Sequence, residues 1–138
     1  MNSVYVLDAC ALIAVLSEEA GADKVVDVYE KVISGKAELV MNVINLLEVY
    51  YDDYRCHGKE AADKMLANVK ALSIKIITET DDALFSEAGR LKANYRISLA
   101  DAFALAQTKI TGGILLTSDH HEFDIIEKKE PIRFLWIR

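Results

Sequence analysis

Four acidic residues stand where this chain has the means to do chemistry. Asp8 ends the strand-forming run Val4-Tyr5-Val6-Leu7, and Asp119 follows Ile114-Leu115-Leu116-Thr117 after a single serine, Ser118. Asp101 falls in the first turn of a helix that Ser98 opens, and Glu48 falls inside a longer helix capped by Asn42. Each has an ordinary explanation. Asp8 caps the helix after it, Ser98 with Asp101 and Asp119 with Glu122 have the spacing of capping boxes, and Glu48 is an exposed helical residue. Brought together, the same residues mean something else. Clustered carboxylates raise one another's pKa values and destabilise a fold, and a divalent cation removes that penalty. Ligands made of oxygen alone select a hard ion, Mg²⁺ or alternatively Mn²⁺. Such an ion polarises a phosphoryl oxygen and lowers the pKa of a bound water, which is the chemistry of phosphodiester hydrolysis.

Whether the four can meet depends on the elements that carry them. Apolar spacing predicts strands over 4–7, 38–41, 73–78, 114–117 and 132–137. Helices are expected over 9–18, 20–34, 42–58, 59–72, 81–94, from 98 to the pair Gly112-Gly113, and over 120–127. Short apolar strands alternating with helices indicate a parallel sheet covered on both faces, a three-layer α/β sandwich. Ligands bind at the carboxyl ends of the strands in such sheets, which is where Asp8 and Asp119 stand. Asp101, in a first helical turn beside that edge, faces the same cleft. In 42–58 the expected buried stripe is Ile44, Leu47 and Tyr51, leaving Asn45, Glu48, Asp52 and Arg55 as a narrow polar one.

Composition bounds these readings. The 138 residues suffice for one domain over 1–138 with a real core, and one Pro with six Gly argues for regular structure almost throughout. The net charge is −6, which excludes a protein held to a polyanion by bulk charge. Two divalent ions would add +4, giving −2, with positive charge placed where a phosphodiester must sit. Cys10 and Cys56 are too few for a disulfide framework and lack zinc spacing, so a reducing, cytoplasmic setting is expected. The apolar run from Val4 to Leu16 is broken by Asp8 and no Lys or Arg precedes Lys24, which argues against an export signal. No stretch has the apolar length of a bilayer span, so no membrane is expected.

The segments Asp8-Ala9-Cys10-Ala11-Leu12, Asn45-Leu46-Leu47-Glu48, Ser98-Leu99-Ala100-Asp101-Ala102 and Thr117-Ser118-Asp119 with Phe123 resemble, in that order, those of a PIN-domain ribonuclease. The likeness is nearest to VapC-type toxins of prokaryotic toxin–antitoxin pairs and covers essentially the whole chain. It implies a five-stranded parallel sheet with the first and fourth strands adjacent. It makes Asp8, Glu48, Asp101 and Asp119 the catalytic and metal-site carboxylates. The implied reaction is Mg²⁺- or Mn²⁺-dependent hydrolysis of RNA by metal-activated water, leaving 5′-phosphate and 3′-hydroxyl ends. The implied partners are an RNA substrate, a second copy in a homodimer, and a protein antitoxin whose tail occupies the acidic groove. Two positions depart from the family pattern: Cys10 stands where Ser or Thr is frequent, and Asn45 stands where Thr or Ser often precedes the helical Glu.

Other residues are weighed beside these. Asn45 and Ser118 are candidates to support the acids or hold substrate, and Arg90 and Arg96, with Lys92, to guide an RNA backbone. Strand-end serines also satisfy local backbone, and the basic residues equally suit a solvated helix and loop. Tyr50, Tyr51 and Tyr54 have the chemistry of a base-stacking platform, but their spacing assigns them to core or dimer packing. Trp136 reads as terminal-strand core, and His120 and His121 as surface residues. Cys10 is no nucleophile, with negative charge around it and no histidine near in sequence. Two other classes were considered: a receiver-like Mg²⁺-binding domain, disfavoured by Thr78-Glu79 where a phosphoacceptor Asp should end the third strand, and a non-catalytic interaction module of the same fold.

Overall fold

A computed structural model describes residues 2–138. Five strands, β1 (Ser3–Leu7), β2 (Ala37–Asn42), β3 (Lys75–Ile77), β4 (Ile114–Thr117) and β5 (Arg133–Trp136), form one sheet in the order β3-β2-β1-β4-β5. Every pairing is parallel, and β1 lies between β2 and β4 with Val6 opposite Val40 on one side and Leu115 on the other. The carboxyl ends of β1 and β4 are therefore neighbours, and Asp8 and Asp119 reach one edge of the sheet.

Seven helices cover the sheet: α1 (Ala9–Leu16), α2 (Ala22–Ile33), α3 (Val43–His57), α4 (Lys59–Lys70), α5 (Asp82–Asn94), α6 (Leu99–Thr111) and α7 (His120–Lys129). Successive strand residues point to opposite faces, so each strand feeds two cores. Tyr5, Leu7, Leu39, Met41 and Leu116 pack under Leu12, Val28, Leu46 and Val69 from α1 to α4. Val6, Val40 and Leu115 pack against Leu84, Leu91, Leu105, Phe123 and Ile126 from α5 to α7. This is the three-layer α/β sandwich. Gly113 permits the entry to β4, because a Cβ there would lie 2.7 Å from the carbonyl oxygen of Val4.

Several boundaries differ from the sequence expectation. Helix α1 stops at Leu16, where Ser17 closes it and Glu18 takes φ 52°. Strand β3 keeps only the residues that pair with β2, and α7 runs on to Lys129. The polarity of α3 needs a larger correction. Leu47 and Tyr51 are about half exposed, while Asn45, Leu46 and Val49 are buried. Helix α3 is wedged between α4 and α6, and the buried arc is set by those two neighbours rather than by the most apolar stripe. Tyr54 is also half exposed, and Trp136 is only partly buried, stacked between Phe134 and His120. No helix of the described residues is long and apolar enough to cross a membrane.

Candidate active site

Three helices begin at the carboxyl edge of the sheet, and the residue that starts each one faces the same cleft. Asp8 caps α1 by accepting the Ala11 N–H at 2.8 Å, and Asp119 caps α7 by accepting the Glu122 N–H at 3.2 Å. Ser98 caps α6 by accepting the N–H of Asp101 at 3.1 Å. The capping reading of these residues is thus correct, and the caps also place oxygens in a cleft of about 450 Å³. Asp8, Glu48, Asp101 and Asp119 all line it.

Glu48 arrives from the side, on α3, whose attachment is polar. Asn42 ends β2, accepts the Ile44 N–H at 2.9 Å and donates to Gln107 of α6 at 3.1 Å, the pair being buried. One turn on, Asn45 donates to the carbonyl of Ala100 at 3.0 Å. Its Oδ1 is buried without a partner.

The electrostatics follow from this crowding. Burial pushes Asp8 up to about 6, with the charge of Asp119 adding to it and hydrogen bonds from Thr117, Ala11 and Cys10 opposing it. Burial pushes Asp101 up to about 7, helped by the charges of Asp119, Glu48 and Asp8. Glu48 is raised by burial and then by Asp119 and Asp52. These carboxylates share one field without a cation to balance it, since the Arg55 guanidinium at the cleft is paired with Asp52 at 2.5 Å.

Among the described residues no three His, Cys, Asp or Glu side chains are drawn close enough to enclose an ion by themselves. The fit to a metal rests on donor type and charge. Oxygen-only donors around a polar, partly open cleft suit a hard ion that keeps several of its waters.

Cys10 closes the inner wall. Its thiol donates to Asp8 at 3.2 Å, lies 3.4 Å from the Thr117 hydroxyl, and accepts from the Ser118 hydroxyl and N–H at 3.5 Å. Burial, then the Asp8 charge, pushes the thiol up to about 11, as expected of a thiol that is no nucleophile. Ser118 therefore meets the acids through Cys10. Thr117, fully buried, accepts the Asp119 N–H at 3.1 Å. The sequence gives Thr117 no role of its own, and its place at a strand end two residues before Asp119 is the available signal.

Of the basic candidates, neither reaches the acids. Arg90 is held by Glu130 and Glu87, each at 2.6 Å, so it fastens α5 to the end of α7 instead of facing the cleft. Arg96 lines an adjoining depression that shares Glu122 with the cleft. His120 is exposed, as expected, but stacks on Trp136 with ring centroids 3.8 Å apart and bonds to Asp124. Sequence reasoning did not foresee that Tyr51 and Arg55 line the cleft.

A family model for the PIN domain matches residues 5–129. Among solved structures, VapBC-1 from nontypeable Haemophilus influenzae aligns over 97% of this chain and 98% of that one, with 14% identity and a TM-score of 0.71. DNA-bound VapBC from Salmonella typhimurium aligns over 100% of both chains, with 14% identity and a TM-score of 0.71. VapC20 of Mycobacterium tuberculosis, a sarcin-ricin loop cleaving toxin, aligns over 82% of this chain and 87% of its own, with 17% identity and a TM-score of 0.59. At these identities the likeness is one of fold. No curated protein sequence matches the chain.

Proposed function

Because the chain belongs to the PIN-domain family, we propose that it is a divalent-metal-dependent endoribonuclease and the toxin of a toxin–antitoxin pair, a single nuclease domain acting in the cytoplasm. The observation that carries the reading is the gathering of Asp8, Glu48, Asp101 and Asp119 on one cleft at the sheet's carboxyl edge. Asp8, Asp101 and Glu48 are raised there by burial and by neighbouring charge. A structural carboxylate gains nothing from such company, whereas a cation site requires it.

Asp8, Glu48, Asp101 and Asp119 would hold Mg²⁺, with Mn²⁺ as the alternative. A bound divalent ion supplies Lewis-acid polarisation of the phosphodiester and an acidified water. The chain's own contribution is to fix the oxygens. Helix capping fixes one oxygen of Asp8 and one of Asp119, Cys10 restrains the Asp8 carboxylate, and Asn45 sets the helix of Glu48 against that of Asp101. Asp101, pushed up to about 7 by burial and by its acidic neighbours, can hold or release a proton near neutrality. The reaction is hydrolysis of RNA to 5′-phosphate and 3′-hydroxyl ends. A homodimer and a protein antitoxin complete the proposal.

The deciding experiment is cleavage of total RNA by purified, antitoxin-free protein with Mg²⁺, Mn²⁺ or EDTA, beside Asp8→Asn and Asp101→Asn. Cuts that need both the metal and the acids are expected. Undiminished cleavage by Asp101→Asn, or by the natural chain in EDTA, removes this site from the reaction. Folded protein that cuts no RNA and binds no Mn²⁺ by calorimetry favours the non-catalytic module.

A further inference from the structure

Helix α3 presents more than Glu48 to the cleft. Glu48, Tyr51, Asp52 and Arg55 all line it, at the i, i+3, i+4 and i+7 spacing that puts side chains on one helical face. They form a wall that leads away from the acids for about 10 Å at 1.5 Å per residue. Arg55 is the only Lys or Arg of the described residues that lines this acidic cleft. Its partner Asp52 leaves it 71% exposed, and exposed pairs of this kind are weakly held. A guanidinium so placed can exchange a carboxylate for a phosphate with the same forked geometry. Between Arg55 and the acids stands Tyr51, half exposed on the same wall. An aromatic face open to solvent beside an anion-binding arginine has the chemistry of a nucleotide subsite.

We propose that α3 is a track for an unpaired RNA strand, in which a base next to the scissile phosphate stacks on Tyr51 and a further phosphate is held by Arg55. This rests on the nuclease reading and adds to it two residues that hold the strand beside the scissile phosphate. Stacking on Tyr51 needs a base released from its helix, so single-stranded loops and ends are bound in preference to duplex.

The test is fluorescence anisotropy with a short fluorescein-labelled single-stranded RNA, in Mg²⁺ and the cleavage-silent Asp101→Asn background, across a salt series. Tyr51→Ala is expected to weaken binding about tenfold. Arg55→Gln is expected to weaken it several-fold and flatten the slope of log K against log salt by about 0.7. Arg55→Lys restores the slope with only part of the affinity. Lys59→Gln, which removes a charge paired to Asp63 outside the cleft, leaves affinity unchanged. In the otherwise natural chain, Tyr51→Ala and Arg55→Gln raise KM by more than they lower kcat. Unaltered affinity and salt slope in both variants, with cleavage still present, overturns the track alone, as does equal affinity for a duplex of the same sequence. RNA neither bound nor cut by the folded natural chain overturns the track and the nuclease together.

Discussion

The side-chain amide of Asn45 donates to the carbonyl of Ala100 at 3.0 Å, tying the helix of Glu48 to the first turn of the helix of Asp101 one residue before that acid. The Asn45 end of this bond is shielded from water, the residue being 1% exposed, and the Ala100 end is half-buried. Asn45→Ala removes this tie while the Ala100 carbonyl keeps its place in the α6 ladder, so the cost is that of one hydrogen bond, about 0.5–1.5 kcal/mol, and Tm falls by a few degrees. The orphaned Oδ1 disappears with it and moderates the loss. Thermal denaturation with Mn²⁺ calorimetry should show a lower Tm together with weaker metal binding; an unchanged metal affinity would mean that the tie has no part in setting the acids.

Cys10 and Asp8 form a pair whose strength a single atom controls. A hydroxyl is a better donor than a thiol, so Cys10→Ser stabilises the charged form of Asp8 and Cys10→Ala removes that support. The acidic limb of the pH–rate profile is expected to move down in the first variant and up in the second. The thiol itself, pushed up to about 11, should alkylate slowly at neutral pH, whereas Cys56 is exposed. Peptide mapping after brief iodoacetamide treatment should find Cys56 labelled well before Cys10.

Stability without metal should fall with rising pH. Asp8 and Asp101 bind protons more tightly in the folded chain, at about 6 and about 7, than at their ordinary 3.8. Their favourable effect is complete below pH 4 and is lost as pH rises through 6 to 7. At about 1.4 kcal/mol per tenfold in proton affinity the two shifts set an upper bound of about 7 kcal/mol, which solvent at the half-buried Asp101 and the mutual repulsion the two acids share reduce. Glu87 and Glu130, both lowered chiefly by Arg90, act in the opposite sense, and their contribution is lost as pH drops below about 4.5. Tm in EDTA should therefore peak near pH 5 and decline toward pH 8, and added Mg²⁺ should raise it more at pH 8 than at pH 5. A Tm that climbs steadily from pH 5 to pH 8 in EDTA would contradict this account.

Arg90 belongs to the scaffold. It bridges Glu87 and Glu130, and the Tyr95 hydroxyl donates to Glu130 at 2.6 Å. The Glu130 side chain is only 8% exposed, so Arg90→Gln strips a buried carboxylate of its main partner at about 1–3 kcal/mol. Urea unfolding should register that loss while RNA affinity stays at the natural value. A large fall in RNA affinity at unchanged stability would return Arg90 to the binding surface.

Most of the sheet was legible because its strands are buried on both faces and so read as unbroken apolar runs. Val4 to Leu7 and Ile114 to Thr117 are such runs, and the parallel rule then sends Asp8 and Asp119 to one edge. Strand adjacency came from the family likeness, since apolar spacing carries no pairing order. Helix α3 was misread because Asn45 is buried through a bond to Ala100, a residue distant in sequence, while Leu47 and Tyr51 are left about half exposed beside it. Arg90 was misplaced for a related reason: its carboxylate partner Glu130 lies forty positions away, and proximity in sequence to Ser98 suggested the cleft instead.

The convergence of α1, α6 and α7 on the cleft has an electrostatic consequence of its own. Each amino-terminal end carries the equivalent of about +0.5 charge from its aligned peptide dipoles, so three supply about +1.5 toward the carboxylates gathered there. The backbone is thus part of the counter-charge at the sheet edge, already in place before any ligand arrives.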